Sequence, residues 1–379
     1  MEGLVYHSAV PEATQASYSE FNNMDFVLNV GEGRSLMKNS VRLNADIEIT
    51  TDGNAATGRS NGKVYLDYRI GAHAIIESVQ TVFGGGMEGM GGLKENLQNY
   101  GRWATMKSIG TLYEDDMLNA SNQCELRAPN EDAASILSQG EITLGTTPVT
   151  QDQDFSLKPI CILNNMMGDA LPFEKSGEIR LTINLARNMS ALMGSNQGNT
   201  ATYILRNPHV SYHSIPNKEG VKWQDTKTSM RSVYNVKSSV LSGSANISAQ
   251  VPAVCDAVSC SFQSQSNENV NITSNYNCET VQGIKRVQFL FNDSTNKYVT
   301  YEISDQNDML HRYIDSFGNT GHQQMTLDTF RTNGGFGIGL AFQGFVNLEN
   351  QRFSIQMTSD INNTRPVNLY SYFHSLLSV

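Results

Sequence analysis

Seven histidines are the first residues to test for chemistry: His7, His73, His209, His213, His311, His322 and His374. His209 and His213 are four apart, a spacing that puts two imidazoles on one face of a helix, where they can share a metal. Both lie in a stretch after Pro208 that reads as a strand. In a strand the two rings still point to one side, but roughly 13 Å apart, too far to hold one ion. Asp152 and Asp154 are a carboxylate pair, but nothing around them suggests a cleft or a raised pKa of the kind acid–base catalysis needs. No Gly-x-Ser-x-Gly nucleophile elbow occurs.

The five cysteines, Cys124, Cys161, Cys255, Cys260 and Cys278, are odd in number and sparse. They do not form a disulfide framework. Cys255 and Cys260 have no histidine at ligand spacing, and zinc needs four convergent nitrogen or sulfur ligands. Reduced, mostly buried thiols are expected. The glycine-rich run Gly84-Gly85-Gly86-Met87-Glu88-Gly89-Met90-Gly91-Gly92 could cradle phosphate. It lacks both the Lys-Ser/Thr of a P-loop and the spacing of a dinucleotide fingerprint. It reads better as a place where chain segments approach closely. Glu114-Asp115-Asp116 lacks the alternating ligands of a calcium loop and reads as a solvated helix end. These residues therefore predict no catalytic, metal or cofactor site, and the chain is expected not to be an enzyme.

What must position them is set by 379 residues, enough for two or three domains, two being the simpler division. Hydrophobic residues make up 39% and charged residues 17%, and there are 31 glycines. Such a mixture suits many short strands and turns rather than long helices. Fifteen Phe and fifteen Tyr, with regular Val/Ile/Leu runs, can bury a sizeable core, which argues against disorder.

The formal charge is −10. A negative surface repels phosphate backbones, so specific nucleic-acid binding is not expected. The densest basic stretch, Lys218 to Arg231, is diluted by Glu219 and Asp225 and reads as a solvated linker. The N-terminus has no signal-peptide pattern, and no window approaches 18 apolar residues. Six Asn-x-Ser/Thr sequons then reflect composition rather than glycosylation, and synthesis in a reducing cytosol is expected.

Along the chain, residues 1–23 read as an arm or a short helix. Strands are predicted at 26–30, 41–49, 74–83 and 179–185, with 203–205 and 210–215 as a pair or one bulged strand. Period-two alternation is clearest in Val41–Ile49 and Ile179–Leu185. Residues 93–118 carry Leu93, Leu97, Tyr100, Met106, Ile109 and Leu112 at helical spacing, with Gly101 and Gly110 as breaks. Residues 119–158 form a long polar insert. In the second half, strands are predicted at 232–241, 245–251, 258–263, 284–291, 337–345, 353–358 and 369–376, with a helix over 307–317. The halves repeat one order of events: Ile75–Phe83 matches Ile284–Phe291, a helix follows each, and two later strands correspond. The fold class is therefore all-β: two tandem eight-stranded jelly-roll (Greek-key) sandwiches with short flanking helices. The divisions are an arm over 1–23, a first roll over 24–216, a linker over 217–228 and a second roll over 229–379.

At this point the chain resembles the double jelly-roll major capsid proteins of tailless icosahedral viruses, a group that includes membrane-containing bacteriophages, adenoviruses, virophages and polinton-like viruses. The similar parts are Leu171-Pro172-Phe173-Glu174-Lys175-Ser176-Gly177-Glu178-Ile179-Arg180-Leu181-Thr182-Ile183-Asn184-Leu185, the strand ending at Ile215-Pro216, and the last strand. The resemblance implies a homotrimer: six rolls give a three-fold object a nearly hexagonal outline, a pseudo-hexameric capsomer that tiles a shell. It implies no catalytic residues. The partners it implies are copies of the chain itself, minor capsid or penton proteins and, where the virion holds an internal membrane, lipid near the arm. By the same analogy 119–158 would form a tower or interface, and the protein would reside in the virion. The rival reading is a carbohydrate-binding or adhesive β-sandwich of fibre or lectin type, for which Trp103 and Trp223 are the only tryptophan platforms.

Overall fold

A computed structural model describes residues 3–50, 63–85, 91–112, 115–130, 133–134, 137–139, 150–193, 201–217, 228–240, 245–250, 254–268, 276, 278–279, 284–291, 296–302, 305–318, 326–331, 335–348, 352–359 and 367–378. The strands before residue 217 are β1 (Val5–Ala9), β2 (Asn23–Leu28), β3 (Arg34–Met37), β4 (Arg42–Thr50), β5 (Lys63–Leu66), β6 (Ile76–Phe83), β7 (Gly92–Gln98), β8 (Leu137–Gln139), β9 (Thr150–Leu157), β10 (Ala170–Pro172), β11 (Ile179–Leu185), β12 (Leu192–Met193) and β13 (Thr202–Pro216). Those after it are β14 (Ser229–Val240), β15 (Ala245–Gln250), β16 (Val254–Ser264), β17 (Ile284–Phe291), β18 (Asn296–Glu302), β19 (Gly337–Asn347), β20 (Arg352–Ser359) and β21 (Val367–Ser378).

The second half is a jelly roll of two four-stranded sheets, β14-β21-β16-β19 and β15-β20-β17-β18. Successive strands fall alternately in one sheet and the other, except β17 and β18, which are neighbours in one sheet, and all these pairings are antiparallel. The first half repeats that order. Its sheets contain β1-β13-β4-β9 and β2-β11-β6-β7. The strands β3 and β10 extend the first sheet, and β12-β5-β8 form a small third one. Each roll inserts its main helix at the same step, between the fifth and sixth of its eight strands: α1 (Tyr100–Thr111) and α2 (Gln306–Asp315). The repeat read in the sequence is this matched position.

Local patterning explains the sheets. In β4, Leu43, Ala45, Ile47 and Ile49 are buried while Arg42, Asn44, Asp46 and Glu48 face outward. Each large apolar side chain so buried stabilises by about 1.5–3 kcal/mol. β13 is one bulged strand. Its register with β4 slips between Arg206 and His209, where Asn207 takes φ 52° and Pro208 has no N–H to donate.

Three expectations are corrected. Residues 5–9 are neither arm nor helix: β1 is the first strand of the first roll, hydrogen-bonded to β13 on the edge opposite β4. Residues 93–98 are strand, not helix, and pair with β6; the helix starts at Tyr100 and runs through Gly101 and Gly110 without a break. The polar stretch 119–158 is not all insert. β8 pairs with β5, and Thr150–Leu157 is the sixth strand of the roll, polar because much of it faces outward. Residues 51–62, Ile142-Thr143-Leu144 and nearly all of the 217–228 linker lie outside the described residues.

Candidate functional site

The junction of the two rolls is where side chains from distant parts of the chain meet, and α1 builds it. Nine of its twelve residues are buried, among them Tyr100, Arg102, Trp103 and Met106. A helix buried this fully cannot show an amphipathic pattern. One side of it packs on the first roll and the other covers the outward face of the β14-β21-β16-β19 sheet. On that face Trp103 stacks against Phe317 at 5.8 Å and meets Tyr372 at 5.2 Å and His374 edge-on at 5.0 Å. The Arg102 guanidinium hydrogen-bonds Gln263 and lies 4.2 Å over the Tyr370 ring. This explains why β16 and β21 are buried on both faces: one side holds the sandwich core, and α1 and α2 cover the other.

Backbone contacts tie the halves further. Met167 N–H donates to Ser229 O at 2.7 Å and Arg231 N–H to Asn165 O at 3.0 Å. One continuous cluster of buried apolar side chains runs through both rolls. Beside α1 a cleft of about 340 Å³ opens between them, lined by Glu77, Arg187 and Phe21 from the first roll and Lys237, Glu268 and Tyr370 from the second. Arg102 also lines it, and part of the cleft's charge is paired. Lys237 pairs with Glu268 at 3.1 Å. Burial pushes the Glu268 carboxyl up, but hydrogen bonds from Tyr370, Asn368 and Lys237 outweigh this and hold it below the usual range.

A second cluster, which sequence reading missed, lies under the other end of α1. His73 Nδ1 is 2.7 Å from the Tyr100 hydroxyl, and Nε2 is 3.2 Å from Glu125 Oε2 and 2.9 Å from Arg127 Nη2. Arg127 Nε donates to Glu125 Oε2 at 3.0 Å, and Lys158 N–H donates to Oε1 at 3.1 Å. Burial, then the Arg127 charge, push His73 down to about 4 against the pull of Glu125. Burial alone would raise Glu125, but its bonds to His73, Arg127 and the Lys158 amide hold it at about 2. The imidazole is therefore neutral at pH 7, and it is 1% exposed. The arrangement joins the segment before β6 to the loop after α1. No motif flags it, because positions 73, 100, 125 and 127 are brought together only by the fold.

The sequence-level candidates are scattered. His209 and His213 lie half-buried on the outward face of β13, His213 against the Tyr6 ring at 4.4 Å. Asp152 and Asp154 are exposed on β9, opposite Glu48 and Asp46. The hydrogen bond and charge of Asp46 raise the Asp154 carboxyl. Cys161, Cys255, Cys260 and Cys278 are buried and Cys124 exposed, and none of the five forms a disulfide. Burial pushes Cys161, Cys255 and Cys260 up to about 12, far from thiolate chemistry at neutral pH. Gly84 N–H donates to Glu178 O at 2.7 Å, so the described start of the glycine run lies against the turn before β11. Residues 86–90, Glu114, Trp223 and His322 lie outside the described residues. Trp103 is buried, which removes it as a sugar platform. Among the described residues no three His, Cys, Asp or Glu side chains converge as metal ligands.

No protein-family model and no curated protein matches the chain. Solved structures do. The Faustovirus major capsid protein superposes with a TM-score of 0.63 at 9% identity, over 100% of this chain and 90% of that one. The PBCV-1 virus capsid gives 0.58 at 14% identity, over 99% and 94%. The mavirus major capsid protein gives 0.55 at 8% identity, over 98% and 88%. The chain thus has the double jelly-roll fold of these viral capsid proteins, along its whole length.

Proposed function

We propose that this chain is a major capsid protein: a structural subunit, without catalysis, that forms pseudo-hexameric homotrimers and tiles an icosahedral viral shell. One observation carries the reading. Both rolls have the same eight-strand order with a helix at the same step, and the whole chain is matched by capsid proteins of three viruses. The candidate chemical groups support a structural role, since His73 and Glu125 are engaged with each other and with Arg127, and burial holds the buried cysteines protonated.

The composition fits shell building. Assembly proceeds by many modest contacts that can dissociate and correct errors, and polar wet interfaces supply them. Asn, Gln, Ser and Thr offer hydrogen bonds without the desolvation penalty of a full charge. The partners we infer are other copies of the chain, minor capsid or penton proteins, and an internal membrane in virions that have one. The site of residence is the virion, after synthesis in the host cytoplasm. We place the division between the rolls at the 217–228 linker.

Light scattering on the purified protein tests this. The expected mass is about 125 kDa, three times the 41.8 kDa chain, with hexagonal outlines in negative stain. A monomer at all concentrations and salts would overturn it, and glycan-array binding by that monomer would favour the adhesive reading.

A further inference from the structure

The mouth of the His73 cluster is unbalanced in charge. A cleft of about 220 Å³ opens between α1 and the segment after β9. Lys107, Arg127 and Lys158 line it, with Asn122 and Asn165, and among the described residues Glu125 is its one carboxylate. That carboxylate is already committed, accepting from Arg127, the Lys158 amide and His73. The charges of Glu125 and Arg127 cancel. Two half-buried ammonium groups remain, and among the described residues neither the Lys107 nor the Lys158 ammonium has a hydrogen-bond or ion-pair partner. His73 is neutral and adds no negative charge. Arg42, on β4, contributes further positive potential at Lys158.

Like charges held together in a half-buried site repel each other and lose solvation. Burial and the charges of Arg127 and Lys158 accordingly depress Lys107, and burial and Arg42 depress Lys158. A bound anion offsets both penalties, and ammonium groups are suited to meeting the oxygens of a tetrahedral oxyanion as point charges. We propose that this cleft is a binding site for a single small oxyanion of the phosphate class, held by Lys107 and Lys158 with Arg127 behind them. The bound ion would sit where α1 meets the chain entering the 162–164 turn, next to the Asn165–Arg231 backbone bond between the rolls. It would therefore act on the junction, not on a substrate. The inference does not depend on the capsid reading.

The probe is inorganic phosphate. With full-length protein at pH 7.5, phosphate at ~20 mM is expected to raise the Tm by a few degrees over sodium chloride of matched ionic strength, through binding to the folded state alone. The variant Lys107→Met/Lys158→Met keeps the aliphatic stems and removes the charges. It should be at least as stable as wild type in chloride and should lose the phosphate increment. Where the double variant does not fold, Lys158→Gln alone and ³¹P line broadening on wild-type protein give the same decision. No phosphate increment in the wild type, or an equal one in the variants, overturns the proposal.

Discussion

Gly101, in the first turn of α1, lies against the ring of Tyr276. A Cβ at position 101 would stand 2.5 Å from Tyr276 Cζ. The Tyr276 hydroxyl passes over the helix and donates to Ala74 O at 3.0 Å, so a side chain of the second roll reaches the backbone of the first. The glycine that reads as a helix break is a docking groove within a continuous helix.

Gly101→Ala is therefore expected to destabilise, although alanine favours a helix by about 1 kcal/mol. The clash should cost about 1–3 kcal/mol more than that gain returns. Gly110→Ala makes a useful contrast, because its Cβ would meet Phe317 at 3.3 Å, where a half-buried ring can give way. Urea unfolding of both variants checks the ranking. A Gly101→Ala protein as stable as wild type would contradict the packing described here.

How much of this was readable beforehand depended on which way each side chain faces. The bounds of β17 and β11 are legible to the residue, because their apolar positions are clustered or cleanly alternating. β7 reads as helix in the sequence because Leu93, Leu97 and Tyr100 fall at helical spacing. In the fold Leu93 is exposed and Glu95 faces the core, the reverse of what the residue types suggest. β1 and β9 were missed because Val5-Tyr6-His7-Ser8-Ala9 is largely exposed and β9 turns Asp152 and Asp154 outward. The His73 cluster was invisible for another reason: its members are polar, unpatterned and up to 54 positions apart.

The buried histidines predict acid sensitivity. Burial, reinforced by Arg231 and Lys107, takes His374 down to about 3, and His73 stands at about 4. In the unfolded chain both titrate near 6.5. Between those values the unfolded state binds protons that the folded state refuses, so stability falls as pH drops from about 6.5 toward 4. The loss should be on the order of 1–3 kcal/mol per histidine. Urea midpoints at pH 7.5, 6.5, 5.5 and 4.5 measure it. His73→Gln and His374→Gln should each flatten the slope over that window. A wild-type midpoint unchanged from 7.5 to 4.5 would show that neither imidazole is held neutral.

Glu95 predicts the opposite sign. It is 4% exposed, and burial raises its carboxyl to about 8 against the Ile162 N–H at 2.9 Å and the Thr81 hydroxyl at 3.3 Å. Its folded pKa lies above the unfolded one, so its contribution is complete below about 4.5 and declines as pH rises through 8. Glu95→Gln keeps an acceptor for Ile162 N–H and removes the titration. The variant should match wild type at pH 4.5 and exceed it by about 1–3 kcal/mol at pH 8. Equal stability at both pH values would mean that Glu95 reaches solvent.

Asn99 supplies the last test, because two separable properties meet in it. It caps α1 from the left-handed region at φ 52°, where asparagine is tolerated and alanine is strained by roughly 1–2 kcal/mol. Its side-chain amide donates to Asn235 Oδ1 across the junction at 2.7 Å, and its carbonyl accepts from the Tyr372 hydroxyl at 3.0 Å. Asn99→Gly relieves the backbone and removes only the amide bridge, which should cost about 0.5–1.5 kcal/mol. Asn99→Ala removes the bridge and adds strain, so it should be the less stable of the two. Combining Asn99→Gly with Asn235→Ala should cost less than the sum of the singles, since both remove the same bond. Thermal unfolding of the four variants reads both effects. If alanine equals glycine, the backbone at 99 is not left-handed; if the double variant is additive, the amides do not meet and the two rolls are held by α1 packing alone.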